Sequence, residues 1–344
     1  MNIDFKNTRL VPLASTLPHV STKLGMSDYL GAVRARMGIR RDAYRINPGL
    51  YAVGNPTSAS DVFVTANYKL SFDALRKNLD GMDGWILVLD TKGINVWCAA
   101  GKKTFGTAEM VRQIGLTSLD KIVSHKRLIL PQLGAPGVSA HKVREASGFS
   151  VIYGPVRASD IKAFVSAGYR ATKEMRRVHF GFSDRLKLIP NDLIYGKYYL
   201  LAGIALVLIL SGLSNSGLSF QRVRENGPWM ALNIVYAYIS GIVLTPAMLP
   251  WIPLRPFALK GFITGFAVSL LLLVFQRLGN DYYEMTSWFL IITGISSFLA
   301  MNFTGSSTYT SLSGVKKEMR VAVPLQIVFA VTGLVLLTIS RTKV

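Results

Sequence analysis

Two patterns of apolar residues divide the chain near residue 198. Before this point, apolar residues come in short runs separated by polar segments. After it, five apolar stretches approach the length of about 17 to 25 residues that crosses a bilayer. They run roughly over residues 198–213, 229–249, 257–275, 286–303 and 321–339. The sequence therefore predicts a soluble half followed by an all-α membrane domain of five transmembrane helices.

The short runs of the first half predict alternating strands and helices. Strands are expected at DVFVTA (61–66), GWILVLD (84–90), RLIL (127–130) and FSVIYG (149–154). Helices are expected over 71–79 with Ser71 as N-cap, from near Thr107, and after Ser139 and Ser159. This order predicts a parallel sheet with helices on both faces, in a Rossmann-like or flavodoxin-like α/β domain. The expected domains are an N-terminal extension (1–50), the α/β domain (51–190) and the transmembrane domain (191–344).

The predicted spans carry few ionisable groups. Their interiors lack Asp, Glu, Arg and His, and Lys260 lies near an edge, where we expect it to snorkel. Ion-coupled transporters usually need ionisable groups at membrane depth, so this composition disfavours a transporter. Gly261 and Gly265 form a small-xxx-small pair suited to close helix packing, although small residues are also simply common in such helices.

Charge predicts where the chain lies. The formal net charge is +20, of which roughly +14 falls on the first 197 residues. Lys and Arg near the predicted spans number ten on the side of the soluble half and five on the other, which places that half in the cytoplasm and the C-terminus outside. The opening residues lack the continuous apolar region of a signal peptide. Basic residues without interleaved aromatic residues argue against nucleic acid as a partner.

The single cysteine of the chain, Cys98, lies in the stretch GINVWCAAGKK (93–103), just after a predicted strand. In open α/β sheets, ligands bind beyond the carboxyl ends of the strands. Asn95 is a good N-cap, which would make Cys98 the third helical residue, near unpaired amides that favour the metal-binding thiolate. Lys102 would add positive charge on the same face. By its position alone, a single cysteine beside Trp97 and two alanines is more often a small buried hydrophobe than a ligand.

Other common sequence motifs are missing. The chain has no GxGxxG, Walker A, HExxH or GxSxG motif, and its four histidines lack metal-ligand spacing. One cysteine excludes a four-cysteine iron–sulfur cluster within the chain.

The run NVWCAAGK (95–102) resembles the signature of the corrinoid proteins of anaerobic mercury methylation, and all eight positions match. The resemblance extends to PGLYAVGNP (48–56), TANYKLSFDAL (65–75) and the layout of an α/β domain followed by five spans. Proteins of this kind have a domain similar to that of the corrinoid iron–sulfur protein. The resemblance implies a cytoplasmic-membrane methyltransferase that moves a methyl group from methyl-Co(III) cobalamin to Hg(II).

The resemblance also implies a site. Cobalamin would bind with its benzimidazole base detached from cobalt, and Cys98 would be the catalytic residue and the lower axial cobalt ligand. The base-off motif Asp-x-His-x-x-Gly, which supplies a histidine ligand, is absent here. The expected cofactor-binding residues around Cys98 are Thr65, Asn95, Val96, Trp97, Ala99, Ala100, Gly101 and Lys102.

A second segment could hold the tail of the cofactor. GAPGVSAHKV (134–143) combines glycines with a helix start, which suits the backbone in approaching a phosphate or an amide. The candidates are Gly134, Gly137, Val138, Ser139 and Gly154, and ordinary α/β turns explain them equally well. The implied partners are a ferredoxin-like electron donor, a methyl-donating methyltransferase and the lipid membrane.

Two alternatives stay open at this stage. One is a corrinoid methyltransferase with an acceptor other than Hg(II), since no residue pattern marks a mercury site. The other is a membrane transporter or sensor whose α/β domain binds a nucleotide or a flavin, which the missing phosphate-loop motif disfavours. Neither the methyl donor nor the choice between carbanion and radical transfer follows from the sequence.

Overall fold

A computed structural model describes residues 17–215, 217–303 and 312–343. The first 16 residues of the predicted N-terminal extension lie outside the described residues. The chain forms two compact units, one built from the described residues up to Ala35 together with Ile39–Val178, and one from Arg36–Gly38 together with the residues from His179 onward.

The first unit is an α/β unit with a five-stranded sheet. Its elements in chain order are α1 (Met26–Arg36), β1 (Gly49–Val53), β2 (Val62–Ala66), α2 (Lys69–Asn78), β3 (Gly84–Leu89), α3 (Val96–Gly101), α4 (Thr107–Leu116), α5 (Leu119–Ile122), β4 (Arg127–Leu130), α6 (Ala140–Ser147), β5 (Ser150–Tyr153) and α7 (Ile161–Ser166). The four predicted strands are all present, and so are the predicted helices.

The sheet is mixed, and this corrects the predicted parallel sheet. Its strand order is β1-β3-β2-β4-β5, with β1 antiparallel to β3 and the other neighbours parallel. The sequence pattern did not predict β1, a short edge strand with no clear periodicity of its own. An antiparallel edge strand on a parallel sheet is common in α/β folds. Strand β2 lies between β3 and β4, so the chain passes from β2 to β3 on one side and then crosses back to β4 on the other side of β2.

Burial explains the central strands. Every residue of β2 and β3 is buried, as the continuous apolar run of β3 predicts, because helices cover both faces of the sheet. Two apolar cores flank the sheet, one on each face. Leu87 and Phe105 belong to one core, and Ile86 and Phe164 belong to the other. One helix start differs from the prediction: α2 begins at Lys69 with Tyr68 as N-cap, two residues before Ser71.

The second unit is helical. Its helices are α8 (Phe182–Leu186), α9 (Ile189–Ser211), α10 (Phe220–Ile239), α11 (Thr245–Met248), α12 (Phe257–Val274), α13 (Tyr282–Asn302) and α14 (Leu312–Lys343). A π-helical turn at Ser240–Leu244 joins α10 to α11, and a two-residue ribbon, β6 (Leu213–Ser214) with β7 (Gly217–Leu218), joins α9 to α10. The five predicted apolar stretches lie largely in helices, and within the described residues five helical segments are long and apolar enough to cross a membrane.

Small residues bring α12 and α13 together. A Cβ atom on Gly261 would lie 2.5 Å from the Cβ of Ala300, and one on Gly265 would lie 2.9 Å from the Cα of Thr293. The structure thus uses the small-xxx-small pair for close packing. Buried hydroxyl groups add contacts between the same helices, for instance Thr264 Oγ1 at 3.2 Å from Ser296 Oγ.

Lys260 does not snorkel, which corrects the prediction. Its side chain is buried, and the ammonium group donates hydrogen bonds to the carbonyl oxygens of Leu249, at 2.6 Å, and Ile252, at 2.5 Å. These carbonyls lie just past the end of α11, where no helical amide can reach them. The apolar helices also include a buried carboxylate that the predicted span missed, Glu284 at the start of α13, which pairs with Arg341 of α14.

Candidate functional site

An apolar cavity of about 340 Å³ opens in the α/β unit at the carboxyl ends of β2 and β4. This is the topological switch point of the sheet, the place where α/β proteins bind ligands. Strand β2 contributes Thr65, the loop after β4 contributes Pro131, and the loop after β5 contributes Pro155. The full lining is Phe63, Val64, Thr65, Ser71, Ala74, Leu75, Asn95, Val96, Trp97, Ile129, Leu130, Pro131, Leu133, Pro155, Val156, Ala158 and Ile161.

The short helix α3 follows β3 and borders this cavity with its first turn. Asn95 is its N-cap, as predicted, and its side-chain oxygen accepts a hydrogen bond of 2.9 Å from the backbone amide of Cys98. Val96 and Trp97 line the cavity. Hereafter α3 is called the cap helix.

The cap helix has a buried side and an exposed side. Val96, Ala99 and Ala100 are buried in the core of the α/β unit. Trp97, Cys98, Gly101 and Lys102 are exposed. Cys98 is therefore not the small buried hydrophobe that one interpretation of the sequence allows, and its thiol is free. Cys98 does not itself line the cavity but follows Trp97, which does, and its exposed thiol is available as a soft metal ligand.

The two glycines after β4 pack against the protein itself. A Cβ atom on Gly137 would lie 2.1 Å from the carbonyl oxygen of Phe105 and 3.0 Å from the Cα of Ala100. One on Gly134 would lie 2.5 Å from the ring of Phe105. Both glycines thus allow the end of the cap helix and the segment after it to come close to the loop that follows β4. Their predicted contact with a cofactor tail stays a prediction.

The other predicted tail residues are spread over this region. Val138 is buried and its carbonyl oxygen accepts a hydrogen bond of 2.7 Å from the hydroxyl of Tyr153. Ser139 is the N-cap of α6, as predicted, but its hydroxyl lies 3.0 Å from His141 Nδ1 and makes no capping bond. Gly154 continues the ladder of β5, with its amide bonded to the carbonyl of Leu130. None of these residues lines the cavity.

The amino-acid pattern missed most of the cavity wall. Ala74 and Leu75 of α2, and Val156, Ala158 and Ile161 from the segment after β5, look like ordinary core residues in the sequence. Two signals identified parts of the wall: position after a strand pointed to the region beyond β3 and β4, and the motif resemblance pointed to Thr65 and to Asn95, Val96 and Trp97.

The part of the chain that holds the cavity matches a known family. Residues 36–165 match the family model described as CdhD, CO dehydrogenase/acetyl-CoA synthase delta subunit. This span contains the cap helix and all residues that line the cavity.

Individual relatives match over a similar number of residues. The chain is 28% identical over 131 residues to the acetyl-CoA decarbonylase/synthase complex subunit gamma of Archaeoglobus fulgidus, covering 38% of this chain and 27% of the relative. It is 31% identical over 128 residues to the subunit of the same name from Methanopyrus kandleri, covering 36% and 27%. It is 30% identical over 125 residues to the corrinoid/iron-sulfur protein large subunit of Moorella thermoacetica, covering 36% and 28%.

The matches support a domain like that of corrinoid proteins in the α/β unit. The resemblance suggested by NVWCAAGK is thereby confirmed as far as a domain like that of corrinoid proteins is concerned. The chain spans only about a quarter of the length of these relatives. The match to the family model ends at residue 165, before the five apolar helices.

Proposed function

We propose that the chain is a cobalamin-dependent methyltransferase of the cytoplasmic membrane that transfers a methyl group to Hg(II). The observation that carries the proposal is the exposed thiol of Cys98 on a cap helix that borders an apolar cavity. The similarity of this unit to corrinoid proteins and the match of NVWCAAGK to the mercury-methylation signature support the same conclusion.

The residues present fit a corrinoid. Apolar walls from β2, α2 and the loops after β4 and β5 suit the face of a macrocycle. Cys98 offers a soft sulfur donor beside those walls, which suits a cobalt ion. Thr65, near the end of β2, is a polar residue on a mostly apolar surface that also includes Ser71 and Asn95, and it can bind the edge of the ring.

A bound methyl-corrinoid supplies a methyl group that can leave with its bonding electrons toward an electrophile such as Hg(II). The chain's own task would be to hold the cobalt through the Cys98 sulfur, which would donate electron density to the metal. The hydrogen bond from the Cys98 amide to Asn95 fixes the backbone that carries this sulfur. The apolar walls keep water away from the ring.

Other proteins have to complete the cycle under this proposal. With one cysteine, the chain cannot hold a four-cysteine iron–sulfur cluster, so electrons come from a ferredoxin-like partner. A separate methyltransferase supplies the methyl group. The five apolar helices anchor the protein in the membrane, with the α/β unit in the cytoplasm and the C-terminus outside. A C-terminal alkaline-phosphatase fusion tests this orientation, since the reporter is active only outside.

The decisive experiment compares the full chain with its Cys98→Ala and Cys98→His variants after reconstitution with cobalamin. Absorption and EPR spectra of the wild-type protein should show a base-off, sulfur-ligated cobalt. Cys98→Ala should lose the sulfur signature and methylmercury formation, and Cys98→His should show a nitrogen-ligated spectrum instead. Identical spectra in all three proteins would refute Cys98 as ligand, and no binding by the wild type would refute the corrinoid proposal.

The acceptor is tested separately. Cys98 is the chain's only cysteine, so a thiolate committed to cobalt leaves no second thiol to hold Hg(II). A corrinoid methyltransferase with a different acceptor is therefore the second candidate. The loaded protein should methylate Hg(II) faster than a thiol acceptor such as homocysteine. The reverse order would support the second candidate.

A further inference from the structure

The loop between β3 and the cap helix has an unusual backbone. Lys92 and Gly93 are consecutive residues with left-handed conformations, φ 60° and φ 75°. A Cβ atom on Gly93 would lie 2.8 Å from the carbonyl oxygen of Asp42, so the loop is closely packed there. A non-glycine residue in the left-handed region costs free energy, so other contacts have to hold this conformation.

Those contacts meet at one side chain, Asn67. It is 2% exposed and follows the last residue of β2 directly. Its Oδ1 atom accepts hydrogen bonds from the Thr91 amide at 3.1 Å, the Thr91 hydroxyl at 2.9 Å and the Gly93 amide at 2.9 Å. Its Nδ2 atom donates to Asp90 Oδ1 at 3.1 Å. One amide group therefore binds three successive parts of the loop.

The contacts continue toward the thiol. The Thr91 hydroxyl also lies 2.7 Å from the carbonyl oxygen of Ile94. The next residue, Asn95, accepts the hydrogen bond from the Cys98 amide. The backbone of Asn67 is itself fixed to the sheet, since its amide donates to Leu89 and its carbonyl accepts from Ile46. A series of hydrogen bonds and adjacent residues thus connects strand β2 to Cys98.

We propose that Asn67 is a positioning residue that sets the place of the cap helix and so of the Cys98 sulfur. The role of Asn67 in ordering the loop does not depend on the proposed function, whereas its effect on cobalt rests on that function. An amide is required because it both donates and accepts. Burial raises the pKa of Asp90, but hydrogen bonds from Lys92 lower it below its usual value, so Asp90 is ionised. Aspartate in place of Asn67 would therefore put a second carboxylate against this negative charge.

The first test needs no cofactor. Hydrogen exchange of the full chain in detergent is compared for wild type, Asn67→Ala, Asn67→Asp and a control, Tyr169→Phe. The control removes a comparable hydrogen bond, from the Tyr169 hydroxyl to Asp61 at 2.9 Å, which lies at the opposite end of β2. Both Asn67 variants should raise exchange in residues 90–98 by about tenfold or more, because the amides lose their acceptor or its geometry. The control should leave these residues protected.

Two outcomes would overturn the proposal: unchanged protection of residues 90–98 in Asn67→Ala, or an equal loss of protection in Tyr169→Phe. The second test uses cobalamin. Asn67→Ala should still bind it, because Asn67 does not line the cavity, but a mixed spectrum should replace the sulfur-ligated one. If wild type binds no cobalamin, the proposed function fails while the exchange result still decides the role of Asn67. A spectrum identical to wild type shows that Asn67 does not position the sulfur.

Discussion

Gly137 offers a direct test of how the cap helix is held in place. The surrounding backbone leaves no room for a side chain, since an added Cβ atom would lie 2.1 Å from the Phe105 carbonyl oxygen and 3.0 Å from the Cα of Ala100. Both neighbours are main-chain atoms, which cannot rotate away. Relieving the contact with oxygen requires a shift of about 1 Å, given an ordinary closest approach of about 3.2 Å between such atoms.

Gly137→Ala should therefore destabilise the α/β unit by about 1 to 3 kcal/mol, the usual range for overpacking. The control is Gly115→Ala in α4, where an added Cβ atom would meet nothing within 4 Å. Alanine there should stabilise the unit by about 0.5 to 1 kcal/mol, because glycine is a poor helix former. The two variants make the same chemical change in opposite packing environments.

Hydrogen exchange of the slowest amides in β3 measures the free energy of unfolding of this unit within the full chain. In Gly137→Ala these amides should exchange about 5- to 150-fold faster, which is the ratio of exchange rates that corresponds to the expected loss of unfolding free energy. In Gly115→Ala they should exchange more slowly. Unchanged exchange in Gly137→Ala would refute the reasoning, and the glycine would then be free to serve the cofactor tail instead.

Two further predictions concern charged side chains, Lys260 and Asp28. Lys260→Met should lower the melting temperature of the protein in detergent, because two buried carbonyl groups lose their hydrogen-bond donor, at a cost of about 1 to 3 kcal/mol each. The control Lys317→Met, at an exposed site, should leave the melting temperature unchanged. A higher melting temperature in Lys260→Met would contradict this account. For Asp28, burial raises the pKa, but hydrogen bonds from Lys69, Gly25 and Arg76 lower it from 3.8 to about 2. The stability that ionised Asp28 contributes should be complete above pH 3.8 and be lost as the pH falls toward 2, which faster hydrogen exchange of the α1 amides would show. The Asp28→Asn variant should lack this pH dependence. The same pH dependence in the variant would refute the assignment to Asp28.

Local pattern predicted most of the elements of the α/β unit. The four runs rich in apolar residues became strands, and β3, whose run has no charged or polar side chain besides its tryptophan, is buried along its whole length. Asn95 became an N-cap because its side chain is short enough to reach the amide three residues on. The edge strand β1 was missed since its order and direction depend on pairing with β3, a partner about 30 or more positions away in the chain.

The candidate site was predictable in part. The place of Cys98 beyond a strand end followed from its sequence position, and the motif around it supplied a chemical hypothesis. Neither showed that the thiol is exposed, because exposure depends on which side of the cap helix meets the core. Asn67 gave no signal, since its partners Asp90, Thr91 and Gly93 are more than 20 residues away.

The order of the amino acids was enough to establish that a basic α/β half precedes five apolar helices, because hydrophobic period and segment length are local properties of the chain. Folding added that β2 lies between β3 and β4, that an apolar cavity opens at its end, that Gly137 packs closely against the end of the cap helix, and that Asn67 bonds to the loop before it. These features depend on contacts between residues far apart in the chain. Such contacts form only when the whole unit packs.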